Sequence, residues 1–201
     1  MSQSAPLRRV HVAKDLYLHD KDAFASGGHL ANAVIDGHTH FGGQQQYLSR
    51  NVHFKNGTSG GAWGMVYVGC PGAPQSSPGN ESSAATTAVD TPPVRMEKPY
   101  VAMRPDGVKF QLRVPLAFHN DTVRNLTNGE MEEDRDFSRV RMAKSSESTA
   151  SIQKALDEGL DVVLTPGIYI LDQTLVIKQA NQVILGLGLA TLMSPIGSPC
   201  I

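Results

Sequence analysis

Cysteine, tryptophan and net charge are all scarce in this chain, and each scarcity removes a class of explanation. Its 201 residues include two cysteines, Cys70 and Cys200, neither with a CxxC neighbour, so neither a disulfide framework nor a cysteine-rich metal knuckle can be built. Basic and acidic residues nearly cancel, 18 against 19, which leaves no positive field to hold a phosphate backbone and excludes nucleic acid as a partner. No apolar run reaches the roughly 18 residues a bilayer crossing needs, so no membrane partner is expected. The opening residues up to Arg9 also lack the apolar core of an export signal. A nucleophile elbow, a phosphate-binding glycine loop and HExxH are all missing, and no cofactor motif is present.

What remains is an apolar, turn-rich and weakly charged composition: 40% hydrophobic, 18% charged, 19 glycines and 12 prolines. That balance favours strands over helical bundles. Short β-branched or aromatic patches recur at 9–13, 30–35, 47–54 and 63–68, separated by Gly, Ser and Asn. Their spacing of roughly 15 to 23 residues, with no amphipathic helix between them, is that of stacked coils in a parallel β-helix. From Cys70 to Pro93 the chain turns rich in Pro, Gly, Ser and Thr, and 71–93 is expected to be a mobile surface loop. Residues 100–103 and 108–114 read as a hairpin around Pro105-Asp106-Gly107, with Arg104 and Lys109 in solvent. The polar run 120–136 reads as a linker or long excursion.

The last fifty residues carry the clearest local signals. Ser148 or Thr149 can cap a short helix whose Ile152, Ala155 and Leu156 share a face, and Gly159 can end it in the left-handed conformation. Five short strands follow, at 161–164, 168–171, 174–178, 183–189 and 191–193. The chain stops at Ile201 without the polar cap that a solenoid end normally carries, which points to a truncation.

The segment from Ile152 to Tyr169, with Leu175–Ile177 and Val183–Gly188 after it, resembles the opening of pectate-lyase-superfamily β-helices, including fungal exo-β-1,3-glucanase-like ones. Where that family usually has Asp-Asp-Thr before the helix, this chain has Ser146-Glu147-Ser148-Thr149. A wider resemblance covers nearly the whole chain, through Ser4–Val12, Ser26–Gly28, Gly43–Gln46, Ser49–Asn51, Trp63–Val66, Gly72–Pro74, Glu97–Pro99 and Thr165–Leu192. It is to a bacterial and fungal group of two-part β-helix proteins, often named adenylyl cyclase or coagulation factor 5/8 type protein. Neither name suits the residues, which show no paired metal-binding aspartates in a cyclase-like pattern and no discoidin-type sandwich. The resemblance implies an all-β, right-handed parallel β-helix (pectate-lyase-like), incomplete, with one short helix near 150–158. It further implies three parts: 1–118 as the last rungs of a first β-helix half, 119–147 as linker or excursion, and 148–201 as capping helix and first rungs of a second half. Further segments of a parent protein would then be partners of this piece.

Four candidate features follow from the residues themselves. Asp36-Gly-His38-Thr-His40 sets one carboxylate and two imidazoles on alternate positions, the start of a metal site, but no further ligand can be named and no metal is assigned. Gln44, Gln46 and Arg50 share a strand face if no bulge intervenes, and offer amide and guanidinium donors to sugar hydroxyls; an amide ladder at the corners of the coil is the competing role. Glu97 and Lys98 follow the 71–93 loop and could face a groove, or form a solvated ion pair. Trp63 is a sugar-stacking candidate, although Met65–Val68 beside it argue for the core. No catalytic residue can be fixed. Four Asn-x-Ser/Thr sequons, at Asn56, Asn80, Asn120 and Asn125, fall among eight asparagines, where chance gives about one or two. They suggest an extracellular parent, though loops rich in Ser and Thr also generate sequons that go unused. The functional expectation is a carbohydrate-active β-helix, a glycoside hydrolase or polysaccharide lyase acting on a polysaccharide or oligosaccharide and inactive as this piece alone. The alternative is a non-catalytic scaffold or glycan-binding module.

Overall fold

The computed structural model describes residues 6–20, 23–119, 132–195 and 197–201. Of these, 6–96 and 117–119 form one compact unit, and 97–116 with the residues from 132 onward form a second. In chain order the strands are β1 (Leu7–Val12), β2 (Leu16–Tyr17), β3 (Phe24–Ala25), β4 (Gly28–Ile35), β5 (Thr39–Gln44), β6 (Gln46–Phe54), β7 (Thr58–Gly60), β8 (Gly64–Val68), β9 (Ala85–Val89) and β10 (Val94–Arg95). There follow β11 (Tyr100–Met103), β12 (Phe110–Pro115), β13 (Phe118–His119), β14 (Glu132–Asp136), β15 (Val140–Ala143), α1 (Thr149–Asp157), β16 (Asp161–Leu164), β17 (Gly167–Ile170), β18 (Ile184–Gly186) and β19 (Ala190–Met193).

The first unit is a parallel solenoid. Strands β1, β4, β6, β8 and β9 form one five-stranded sheet in that order, and β2, β3 and β7 pair in parallel with β5. Leu7 stands beside Leu30, Leu30 beside Ser49, Ser49 beside Tyr67, and Tyr67 beside Ala88. Subtracting these numbers gives coils of 23, 19, 18 and 21 residues, the interval that the sequence spacing implies. Inward side chains Leu30, Ile35, Phe41, Tyr47, Val52, Phe54, Met65 and Tyr67 make one apolar core. Phe41 is its centre, meeting Tyr47, Phe54 and Tyr67 edge-on at centroid distances of 4.9, 6.3 and 6.1 Å, arrangements that add to the burial of each ring.

One corner of the coil is made the same way on successive rungs. Arg9, Asn32, Asn51 and Gly69 stand in register, and all have φ between 54° and 60°. Asparagine tolerates this left-handed conformation better than most side chains. Here it also fills the corner with amides: Asn51 Nδ2 donates to Asn32 Oδ1 at 2.6 Å, and Arg95 Nη1 donates to Asn51 Oδ1 at 2.7 Å. All three side chains are buried, and the Arg95 guanidinium lies 5.2 Å over the Phe118 ring. The corner of the β6 rung is therefore tied to the short antiparallel pair β10–β13.

The second unit combines an antiparallel sheet, β11-β12-β14, with parallel pairs β15-β16-β18 and β17-β19. Its helix starts and stops as the sequence implies: Ser148 Oγ accepts from Ser151 N, Ile152, Ala155 and Leu156 are buried, and Gly159 has φ +78°. The Tyr169 hydroxyl, fully buried, donates to the Ala143 carbonyl at 2.8 Å.

Four sequence expectations are corrected. The segment 71–93 is not simply a loop: β9 lies in it because β8 offers an edge for Ala85–Val89 to pair with despite their low hydropathy, and Ser76 and Ser77 bond to Ala88 and Thr86 along its other edge. Of the expected linker, 120–131 lies outside the described residues, and Glu132–Asp136 is strand β14, whose Glu132 and Asp134 are drawn onto Arg113 and Tyr100. Residues 174–178 form no ladder: Leu175 is buried, and Val176 N donates to the Gln153 side chain of α1. The hairpin 100–114 is present, but it groups with the second unit rather than with the first rungs, and Arg104 pairs with Asp136 instead of facing free solvent.

That pair has a measurable consequence. Asp136 is held down to about 2, first by the backbone N–H and hydroxyl of Ser138 and then by Arg104. Its folded value lies below the ordinary 3.8, so its contribution is present above that pH and is lost as pH falls through about 2. Asp136→Asn is expected to flatten the loss of stability between about pH 4 and 2, followed by urea unfolding at each pH.

Candidate functional site

The broad outward face of the first unit's five-stranded sheet is the candidate site. In β6 the outward positions are Gln46, Leu48 and Arg50, since Tyr47 and Ser49 point inward. Across the ladder, Gln46 stands beside Gly64 and then Ala85, Leu48 beside Val66 and Thr87, and Arg50 beside Val68 and Val89. Trp63 precedes β8 at the corner where its backbone N–H donates to the Gln45 carbonyl, and the residue is 61% exposed. Beside it, a side chain added at Gly64 would meet nothing within 4 Å. An exposed indole, an exposed amide and an open floor of Gly and Ala thus adjoin one another. Such a surface can receive the apolar face of a pyranose ring while an amide bonds its hydroxyls.

Trp63 corrects the expectation that it belongs to the core. Its neighbours Met65 and Tyr67 turn inward, and strand alternation places Trp63 among them, but the corner at 61–63 rotates it out. The expected common face of Gln44, Gln46 and Arg50 is also corrected. A corner at Gln45 ends β5 and starts β6, so Gln44 lies on a different strand and is buried. Its Oε1 accepts from Gly27 N at 3.1 Å and its Nε2 donates to the Leu18 carbonyl. Gln44 is a corner brace; Gln46 and Arg50 remain outward, Arg50 half-buried with Nη2 donating to the Met96 carbonyl at 3.3 Å. Glu97 and Lys98 fall in the second unit, where Glu97 is buried and Lys98 exposed.

The Asp36–His38–His40 constellation is only half kept: the His38 and His40 rings meet edge-on at 4.5 Å, but Asp36 is drawn away from them. Asp36 bonds His11 at 2.8 Å and Lys55 at 2.7 Å, and these hold its carboxyl below the usual range, Lys55 most strongly. His38 is taken by the Asn56 carbonyl and Ser59, and His40 stacks flat on Tyr17 at 4.4 Å. Among the described residues no group of three or more His, Cys, Asp or Glu is placed to hold a metal ion.

A general acid for glycoside cleavage needs a carboxyl with a raised pKa beside a second carboxylate. Hydrogen bonds instead hold Asp36, Asp106, Glu133, Asp136, Glu147 and Asp157 below their ordinary values, which marks them as structural acceptors. Asp106 takes the amides of Val108 and Lys109 in its turn, and Asp161 is bound by Arg135 and by Val183 N. The Asn32–Asn51–Arg95 ladder escaped the sequence reading. Its signal was there in two asparagines 19 residues apart, close to one coil.

The fold defines the class: this is a pectate-lyase-like β-solenoid protein. Residues 140–201 match the LAM55 pectate lyase-like domain. The chain is 37% identical over 196 residues to an exo-β-1,3-glucanase of Streptomyces sp. (strain SirexAA-E / ActE), covering 96% of this chain and 31% of that protein. Two solved structures of sacteLam55A from Streptomyces sp. SirexAA-E, one of them a variant in complex with glucose, superpose with TM-scores of 0.82 at 33% and 35% identity. Each covers 98% of this chain, which spans 35% of each of those chains.

Proposed function

We propose that a protein carrying this chain acts outside the cell as a glycoside hydrolase on a β-1,3-glucan. The observation that carries the reading is 37% identity to an exo-β-1,3-glucanase along 96% of the chain, on the same solenoid fold. Hydrolase is preferred to lyase on that ground. Within the chain, the outward surface at Gln46, Trp63 and Arg50 serves to hold sugar rings, while Lys98, exposed in the second unit, is a separate candidate contact. Gln44, buried, braces a corner of the coil rather than meeting sugar. The acid and base are assigned to no residue here, because the carboxylates named above are engaged in structural bonds.

The contact is tested in the full-length protein with laminari-oligosaccharides. Trp63→Ala is expected to weaken binding about three- to tenfold, the scale of one lost aromatic contact, at an unchanged melting temperature. Gln44→Ala should do the reverse, costing about 1–3 kcal/mol of stability by leaving Gly27 N unpaired while binding is kept. Unchanged affinity in both Trp63→Ala and Gln46→Ala would remove the sheet face from the proposal.

A further inference from the structure

The described asparagines divide into two kinds. Asn32, Asn51 and Asn181 all have positive φ, between 55° and 61°, and none of them starts a sequon. Asn56 and Asn80 do start sequons, Asn56-Gly-Thr58 and Asn80-Glu-Ser82; both are exposed, and neither takes a left-handed conformation. Asn120 and Asn125 lie outside the described residues.

Asn80 is the better placed of the two. It sits at the turn that closes the excursion between β8 and β9, bridged to Ser83 across the turn, with Ser77 bridged to Thr86 behind it. Its Oδ1 accepts three bonds from within the turn, from Ser82 N at 2.9 Å, Ser82 Oγ at 3.0 Å and Ser83 Oγ at 3.0 Å. With the carbonyl end of the amide tied back, Nδ2 is the end left to solvent. In the other sequon the Thr58 hydroxyl lies against the part-buried Tyr67 hydroxyl at 3.5 Å, a less open setting.

We propose that Asn80 is an N-glycosylation site. This goes beyond the glucanase reading and shares with it only the extracellular route. In the transfer, Asn80 Nδ2 attacks the reducing-end carbon of a lipid-pyrophosphate-linked oligosaccharide. A C–N bond forms, the C–O bond to pyrophosphate breaks, the lipid pyrophosphate leaves with the electron pair, and Nδ2 gives up one proton. The place has a physical use. Ser76 and Ser77 cover the edge of β9 away from β8, through Ser77 N to Thr86 O at 2.9 Å and Ala88 N to Ser76 Oγ at 2.8 Å. A bulky, hydrated glycan at the end of that cover shields an exposed sheet edge from pairing with another chain.

The test is secretion of the full chain from yeast behind a heterologous export signal, then peptide-N-glycosidase digestion in heavy-oxygen water and peptide mapping. Asn80 is expected to be recovered as heavy-oxygen aspartate. Ser82→Ala should lose that label and one step of the gel shift, whereas Ser82→Thr keeps both. Secreted protein with a strand-type circular dichroism spectrum whose Asn80 remains unmodified, or in which label appears only at other sequons, overturns the proposal.

Discussion

Asn51→Val is expected to unfold the first unit or bring it to the edge of unfolding at room temperature. Three costs add at that position. Arg95, 4% exposed, loses the Asn51 carbonyl to which its Nη1 donates, and a hydrogen bond to a charged group contributes about 1.5–3 kcal/mol. Asn32 loses the amide bonded to its Oδ1. A β-branched residue must then hold a φ of 55°, adding about 1–2 kcal/mol. Against a total stability of about 5–15 kcal/mol, the sum is decisive. Two companions separate the terms. Asn51→Gly keeps the conformation and loses only the amide, and Asn51→Asp keeps an acceptor for Arg95 and so loses least. Urea unfolding of the three variants should rank them Asp, Gly, Val from most to least stable; Val as stable as Asp would remove the ladder from the account.

Arg135→Met is expected to cost the second unit about 3–5 kcal/mol, again by stranding a buried charge. Arg135 Nη1 lies 2.8 Å from both oxygens of Asp161, whose side chain is 5% exposed, and the same nitrogen also donates to the Asn181 carbonyl. Asp161→Asn in the Arg135→Met background should recover most of the loss, because asparagine keeps an Oδ1 to accept from Val183 N while dropping the charge. A double-mutant cycle should therefore show strong coupling. Additive losses would mean that the pair is screened and contributes little.

The solenoid was legible because stacking is periodic. A strand every 18 to 23 residues, with alternating apolar positions and glycine at the turns, leaves a trace in one dimension. The helix was equally plain, since Ser148, the Ile152–Leu156 stripe and Gly159 each act within a few residues. What failed depended on partners far away in sequence. Ala85–Val89 is a strand because β8 offers an edge, not because Thr and Ala seek one. Glu132–Asp136 reads as solvated linker until Arg113 and Arg104 supply counter-charges. At the candidate site, Gln46 and Arg50 followed from alternation, but one corner at Gln45 moved Gln44 inside, and another moved Trp63 out. Corners change the phase of alternation, and the Gln-Gln-Gln run carries no mark of where the turn falls.

The central claim is that this solenoid serves hydrolysis of β-1,3-glucan, and product analysis tests it most directly. The full-length protein carrying the chain is incubated with β-1,3-glucan, polygalacturonate and chitin, and products are followed both as reducing sugar and as ultraviolet absorbance of unsaturated uronate. Release of reducing sugar from the β-1,3-glucan alone, without unsaturated product, is the predicted result. Unsaturated product from polygalacturonate, or no release from β-1,3-glucan by folded protein, would contradict it.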